Sequence, residues 1–236
     1  MRPPLSPSRF EGVIFDMDGV LCDSEEFIAE AACRMFAERH DVKVTPEDFV
    51  PFVGAGENRY LGGVAEKYGV DFDLEPDKAR TYEIYLEIIK GRLEPLSGAR
   101  EFVADCRRRG LKLAVATSAD RVKLEGNLRE IGIPAETFDF VVTGSDVERK
   151  KPDPEIFLAA AHGLDLAAER CLVVEDAPNG VAAGRGSGAK VLALTTSFSD
   201  EDLRRAGADW TAPDLAGVPE GLTERLGRRP RTDSTR

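Results

Sequence analysis

Residues 12–20 of the chain read GVIFDMDGV, and this stretch decides the fold class. Its first four residues form an apolar run without polar alternation, which is typical of a strand buried on both faces of a parallel sheet. Asp16 and Asp18 follow the run directly, and Gly19 allows the chain to turn tightly after them. The stretch therefore predicts a buried strand that delivers two carboxylates at its carboxyl end.

Four more short apolar runs of the same kind follow, with helical patterns between them. Between the second and third runs, Leu124, Leu128 and Ile131 repeat at helical spacing, and Ser199 with Asp202 indicates another helix start. Alternation of buried strands and helices predicts an α/β protein with a doubly wound parallel sheet. The four runs are residues 111–116, Phe140–Val142, residues 171–174 and Lys190–Leu194.

The alternation stops between residues 24 and 96, where the pattern is helical throughout. Ile28, Met35 and Phe36 recur on one helix face, and Thr45 followed by Pro46 is typical of a helix start. Since strand runs precede and follow this block, it predicts an all-helical insertion. We therefore expect an α/β core of residues 9–23 and 97–227, an inserted cap of residues 24–96, and flexible tails at residues 1–8 and 228–236.

Composition excludes several classes of function. The chain has 236 residues, with 43 acidic and 32 basic side chains and a net charge of −11, which disfavours nucleic acid and anionic membranes as partners. Four scattered cysteines and two histidines predict reduced thiols and no histidine-based zinc site. No apolar run is long enough for a signal peptide or a membrane span, so we expect a cytoplasmic protein. The oligomeric state is left open, and a monomer is compatible with the sequence.

Polar side chains also follow the later apolar runs. In an open parallel sheet, ligands bind outside the carboxyl ends of the strands. Carboxylates gathered there repel one another unless a cation neutralises them, and oxygen ligands favour Mg²⁺. The carboxyl edge of the predicted sheet therefore suits the binding of a phosphoryl group together with Mg²⁺. The residues that follow the runs are Thr117, Ser118, Lys151, Glu175 and Asp176.

Asp16 and Asp18 are placed for different roles. Side chains two residues apart at a strand end start on the same side of the chain. Asp16, at the strand tip, is the candidate nucleophile that attacks phosphorus and forms an aspartyl-phosphate. Asp18 is the candidate general acid and base, which protonates the leaving oxygen and then deprotonates the incoming water or hydroxyl.

Four motifs in this order resemble the haloacid dehalogenase (HAD) superfamily: FDMDGVL at residues 15–21, Thr117, KP at residues 151–152 and ED at residues 175–176. Within it, DSE at residues 23–25, KPDPEIF at residues 151–157 and EDAPNGV at residues 175–181 are similar to the β-phosphoglucomutase and phosphoglycolate phosphatase group. The resemblance covers residues 10 to 226. Residues 50–64 also resemble the phosphatase-like domain of plant chloroplast photoprotection proteins called suppressor of quenching.

The resemblance implies a Rossmann-like core with a mobile helical cap over the site. It also implies a HAD-type phosphoric monoester hydrolase: a Mg²⁺-dependent phosphatase that acts on a small phosphorylated metabolite, a sugar phosphate or a phosphorylated acid, through an aspartyl-phosphate. Thr117, Ser118 and Lys151 would bind the phosphate. The Mg²⁺ ligands implied are Asp16, the Asp18 carbonyl and Asp176, with Glu175 nearby.

Two positions depart from the mutase pattern. Ile28 stands where β-phosphoglucomutase has a histidine, and Glu57 stands where the mutase places an arginine on the second phosphate. We therefore expect Glu57 and Asn58 to contact the substrate and hydrolysis to outweigh mutase activity. A phosphomutase stays an alternative, because the neighbouring Arg59 can replace the missing arginine. A non-catalytic regulatory or interaction module is the alternative of another class.

Overall fold

The computed structural model describes residues 9–52 and 56–227. Six parallel strands form one sheet in the order β3-β2-β1-β4-β5-β6, with helices on both faces. This confirms the predicted doubly wound α/β fold, and the predicted strands agree with the observed ones within one residue at each end. The strands are β1 Gly12–Phe15, β2 Lys112–Ala116, β3 Phe140–Val142, β4 Cys171–Glu175, β5 Lys190–Leu194 and β6 Trp210–Ala212.

Strand β1 lies in the middle of the sheet and positions the site. It pairs with β2 on one side and with β4 on the other, with Gly12 opposite both Lys112 and Cys171. All four of its residues are buried, Val13 and Phe15 in the apolar cluster on one face and Ile14 in the cluster on the other. Burial on both faces explains why this strand shows no polar alternation.

Four α-helices lie between β1 and β2 in the described residues. The first three fall within residues 25–89, where the helical pattern predicted helices, and we call residues 25–89 the helical insert. Buried residues of the insert, such as Phe36 and Tyr85, belong to the same apolar cluster as one face of the sheet. The domain boundaries given above stay a prediction. The helices are α1 Glu25–His40, α2 Glu57–Tyr68, α3 Leu74–Ile89, α4 Ala99–Arg108, α5 Arg121–Glu130, α6 Glu155–Gly163, α7 Pro178–Gly186, α8 Asp200–Ala206 and α9 Glu220–Thr223.

The helix predicted to start at Thr45 is shorter than expected. Instead of an α-helix, two separate 3-10 turns form, at Pro46–Asp48 and at Val50–Phe52. The Asp48 carboxylate accepts the Thr45 backbone N–H at 2.8 Å and bonds also to Lys67 and Tyr68. Those contacts to the end of α2 hold Asp48 at a corner of the chain, and the helix does not continue beyond it.

Other expectations concern the cysteines, the membrane and the tails. All four cysteines are free thiols, as expected. Among residues 9–52 and 56–227, no helix combines the length and apolar character that a membrane span requires. The two predicted tails lie outside the described residues.

Candidate active site

Asp16 follows the central strand β1 and is buried. Its backbone N–H donates to the Val174 carbonyl of β4 at 2.9 Å, which continues the ladder of the sheet by one residue. Its carboxylate accepts a hydrogen bond from Lys151 Nζ at 2.5 Å. Burial raises the pKa of Asp16 to about 7, with Glu175 and Asp18 adding to the rise and Lys151 opposing it.

Glu175 positions Lys151. Its Oε1 accepts from Lys151 Nζ at 2.7 Å, and its Oε2 accepts the backbone N–H groups of Asp176 and Ala177 at 2.9 and 3.1 Å. A Cβ on Gly180 would lie 1.8 Å from Glu175 Oε1, so this carboxylate occupies space that only a glycine leaves free. Both oxygens of Glu175 are therefore engaged, and Lys151 is held between two carboxylates.

Asp176 lies against the turn that follows Asp18. A Cβ on Gly19 would come within 1.9 Å of Asp176 Oδ2, and Gly19 has a φ of +73°, so any other residue there is both crowded and strained. Burial raises the pKa of Asp176 to about 8, with Glu175 and Asp16 adding to the rise. Asp16 and Asp176 thus face a common space as two carboxyls that resist simultaneous ionisation.

These residues fit a magnesium ion. Within the described part of the chain, no group of three or more Asp, Glu, His or Cys side chains is arranged as a complete metal site. Mg²⁺ does not require one, because it keeps several waters and takes one or two carboxylates together with substrate phosphate oxygens. Asp16 and Asp176 supply two such carboxyls, and a divalent cation would relieve the repulsion that raises their pKa values.

Both oxygens of Asp18 have donors. Lys123 Nζ donates to Asp18 Oδ2 at 2.9 Å, and the Ser24 hydroxyl donates to Oδ1. Asn127 supports Ser24 from behind, with its Nδ2 donating to Ser24 Oγ at 3.2 Å. The buried Tyr85 hydroxyl in turn donates to Asn127 Oδ1. Asp18, the candidate general acid and base, is therefore oriented by residues of the loop that follows β1, of α3 and of α5.

Lys123 lies in the candidate site, and the sequence analysis did not predict it. Its side chain is only 3 % exposed and lies 3.9 Å from Glu25 as well as beside Asp18. A signal was present: Lys123 and Asn127 are spaced four residues apart, next to the apolar Leu124 and Leu128 on the same helix. Two polar residues beside the buried face of a helix indicate a polar site under that helix.

Thr117 and Ser118 come directly after β2, as predicted. The Thr117 backbone N–H donates to the Val142 carbonyl at 3.1 Å, and its hydroxyl accepts the Ala119 N–H at 3.1 Å. Both residues line the same cavity as Asp16, Asp18 and Lys151. The structure thus brings together all core residues that the sequence analysis named for phosphate binding.

The cavity has a volume of about 420 Å³ and lies between the core and the helical insert. Glu57 lines it, and its contact with the substrate stays a prediction. Asn58 is exposed and does not line it, because its side chain accepts a hydrogen bond from Lys78 at 3.0 Å. Arg59 makes two hydrogen bonds to Glu66, at 2.9 and 2.8 Å, and is likewise not among the lining residues. Ile28, Phe52 and Tyr60 complete the wall formed by the insert.

A family model for haloacid dehalogenase-like hydrolases matches residues 10–188. The chain belongs to this family. The resemblance noted in the sequence is thereby confirmed, and so is the predicted enzyme class, a phosphoric monoester hydrolase. The non-catalytic module loses its support, since the matched family is one of hydrolases.

Relatives of this HAD-like hydrolase include a plant protein. The chain is 41 % identical over 213 residues to the protein SUPPRESSOR OF QUENCHING 1, chloroplastic, from Arabidopsis thaliana. The match covers 89 % of this chain and 20 % of that protein, so the chain spans about a fifth of the plant protein's length. The plant protein's name places it in the chloroplast, and the cytoplasmic location expected for this chain stays a prediction.

Bacterial relatives match over nearly their whole length. A phosphorylated carbohydrates phosphatase from Thermotoga maritima is 33 % identical over 200 residues, 84 % of this chain and 92 % of that protein. The solved structure of CbbY from Rhodobacter sphaeroides in complex with xylulose-(1,5)bisphosphate has a TM-score of 0.80 at 25 % identity. That match covers 92 % of this chain and 99 % of CbbY.

Proposed function

We propose that this HAD-like hydrolase is a Mg²⁺-dependent phosphatase that hydrolyses a small phosphorylated metabolite through an aspartyl-phosphate on Asp16. The observation that carries the proposal is the position of Asp16 at the tip of the central strand. There it is bonded to Lys151 at 2.5 Å and shares one cavity with Asp18, Thr117 and Asp176. The Thermotoga maritima relative, named as a phosphatase of phosphorylated carbohydrates, supports the substrate class.

The chemistry follows from these positions. An Asp16 carboxylate oxygen attacks phosphorus, the bond from phosphorus to the ester oxygen breaks, and Asp18 gives its proton to the leaving oxygen. The Lys123 ammonium stabilises the carboxylate that Asp18 then becomes. In the second step Asp18 removes a proton from water, which attacks phosphorus and releases inorganic phosphate and free Asp16. Lys151 offsets the negative charge on the transferred group. Asp16 and Asp176 would hold Mg²⁺, which would supply further charge neutralisation there.

Hydrolysis is favoured over a mutase reaction because no described insert residue that lines the cavity is a Lys or Arg that could hold a second phosphate. A mutase must hold its bisphosphate intermediate by both ends. At the position of the mutase arginine stands Glu57, and Arg59 is paired with Glu66 outside the cavity. Ile28 contributes an apolar wall in place of a histidine. The phosphomutase stays an alternative, and the CbbY complex with a bisphosphate makes bisphosphates part of any substrate panel.

The test is release of inorganic phosphate from p-nitrophenyl phosphate and a panel of sugar phosphates, phosphorylated acids and bisphosphates, with Mg²⁺ and with EDTA. We expect Mg²⁺-dependent release that Asp16→Asn lowers by at least ~10³-fold. Asp165→Asn is the matched control, because the Asp165 side chain is fully exposed and far from the cavity.

Three results would contradict the proposal. Activity that persists in Asp16→Asn would refute the nucleophile, and equal activity in EDTA would refute the metal. Conversion of β-glucose 1-phosphate to glucose 6-phosphate in the presence of glucose 1,6-bisphosphate, faster than phosphate release from every ester of the panel, would favour the mutase.

A further inference from the structure

Glu57 carries an unpartnered carboxyl oxygen inside the cavity. Its Oε2 is buried and has no hydrogen-bond partner among the residues that the structure describes. The side chain belongs to the first residue of α2 and lines the cavity that holds Asp16 and Asp18. Because a buried polar atom without a partner is costly, this oxygen is positioned for a group that enters with the ligand.

The charges of the cavity restrict what that group can be. Asp23 and Glu25 line the cavity in addition to the five carboxyls already described, against two ammonium groups. Lys151 is engaged by Asp16 and Glu175. Lys123 is engaged by Asp18 and Glu25. Among the described lining residues no cation is left for a second anionic group of a substrate. This favours a substrate that is uncharged apart from its phosphate.

The insert side of the cavity suits a hydroxylated carbon chain. Ile28, Phe52 and Tyr60 give it an apolar wall, and the Tyr60 ring is fixed by stacking on Phe49 at 4.8 Å. Burial raises the pKa of Glu57 to about 7, while Lys123 opposes the rise and Asp120 and Asp18 add to it. A carboxyl accepts a hydrogen bond from a hydroxyl whether or not it carries a proton, so Glu57 can bind a hydroxyl on either side of neutral pH.

We propose that Glu57 is a specificity-determining residue that accepts a hydrogen bond from a hydroxyl of the substrate. The substrates selected are monophosphate esters of neutral sugars or polyols, and esters that carry a carboxylate or a second phosphate are rejected. This inference rests on the proposed phosphatase function and narrows its substrate class: phosphorylated acids are not expected to be preferred substrates. The cavity volume of about 420 Å³ is within the range of small-ligand sites.

The experiment compares matched pairs of esters that differ only in a terminal group. Sorbitol 6-phosphate and 6-phosphogluconate form one pair, and glycerol 3-phosphate and 3-phosphoglycerate form the other; in each pair CH₂OH replaces COO⁻. We expect kcat/KM of the wild type to be at least about tenfold higher for the better neutral ester than for its acid partner. Glu57→Ala is expected to lower kcat/KM for that neutral ester about tenfold, the loss of one hydrogen bond, and to lower kcat/KM for p-nitrophenyl phosphate by a smaller factor, because that ester has no hydroxyl to offer Glu57.

Further variants separate specificity from folding. Glu57→Gln keeps an acceptor oxygen and is expected to retain most of the activity on the neutral ester. Glu57→Arg is expected to reverse the preference toward the acid partner, because it adds the missing cation. Glu75→Gln is the matched control, since Glu75 lies in the first turn of α3 with an exposed side chain and does not line the cavity.

The contrary results distinguish failure of this inference from failure of the proposed function. If the wild type prefers the acid partner in both pairs, or hydrolyses p-nitrophenyl phosphate but neither neutral ester, the inference fails and the phosphatase function stands. The same holds if Glu57→Ala lowers activity on all esters equally. If the folded wild type hydrolyses no ester, the proposed function fails and the inference fails with it.

Discussion

Asp16 and Asp176 keep their protons to a higher pH in the folded protein than in the unfolded chain, because burial raises their pKa values to about 7 and about 8. The unfolded chain releases both protons near the ordinary value of 3.8. Between these values the unfolded state binds fewer protons than the folded state, so the stability of the metal-free protein falls as pH rises from about 4 to 8. The active site is thus a source of instability that a bound cation would offset.

Asp176→Asn is expected to raise the melting temperature of the metal-free protein. The neutral amide removes a buried carboxyl that must ionise, so the gain should be larger at pH 8 than at pH 5 and amount to a few degrees at pH 8, at roughly 2–4 °C per kcal/mol for a chain of this size. Mg²⁺ should stabilise the wild type at pH 8 and the variant much less. The measurement is thermal unfolding in EDTA and in Mg²⁺ at both pH values.

Asp165→Asn serves as the control, since its exposed side chain should leave the melting temperature unchanged at both pH values. A variant Asp176→Asn that melts at or below the wild type at pH 8 in EDTA would show that the raised pKa does not govern stability.

Helix α3, the last helix of the helical insert, contacts the loop between β2 and α5. Asp120 Oδ2 lies 3.0 Å from the Tyr82 hydroxyl and 3.1 Å from Lys78 Nζ, while its Oδ1 accepts from Ser145 at 2.8 Å. Further along the interface, a Cβ on Gly126 of α5 would lie 2.5 Å from Leu86 Cδ2, so the two helices approach closely there. These contacts hold the insert against the helix that carries Lys123.

The contribution of this junction can be measured with a double-mutant cycle. Tyr82→Phe should lower the free energy of unfolding by about 1 kcal/mol, and Asp120→Ala by more, because it removes the acceptor of three donors. The coupling energy between the two changes should be about 0.5–1.5 kcal/mol. Urea unfolding of the four proteins provides the values.

As a control, Tyr82→Phe combined with Asp209→Asn should be additive within ~0.5 kcal/mol, since Asp209 lies at the other edge of the sheet. Full additivity of Tyr82→Phe and Asp120→Ala would mean that this hydrogen bond does not stabilise the junction.

The whole molecule combines an acidic chain, with a net charge of −11, and a reaction site placed between core and insert. A cavity of about 420 Å³ can take a small ester but not a folded surface or an extended peptide. We expect kcat/KM for the best small ester to exceed that for a phosphoserine peptide by at least ~10²-fold. Parallel phosphate-release assays with equal concentrations of both substrates measure the ratio, and a peptide that is hydrolysed faster than every small ester would contradict the expectation.

Much of this architecture is readable from local sequence. Strands buried on both faces must be continuously apolar, so the runs ending at Phe15 and Ala116 indicate both the sheet and its carboxyl edge. Candidate site residues that directly follow such strands, as Asp16 and Thr117 do, are brought together by the parallel topology alone. The sequence by itself therefore determined the fold class and the core half of the site.

Only the tertiary structure decided which residues of the insert face the cavity. Glu57, Asn58 and Arg59 follow one another at the start of α2, and their side chains point in directions about 100° apart. The rotation of α2 about its axis is set by tertiary packing, such as that of the Phe52 ring against Gly63. This rotation turns Glu57 toward the cavity. Asn58 bonds instead to Lys78, and Arg59 to Glu66. Lys123 was missed for the same reason, because its partner Asp18 is 105 residues away in the chain. Local patterns specify which element forms, whereas the partners of a buried charge are specified by how the elements pack.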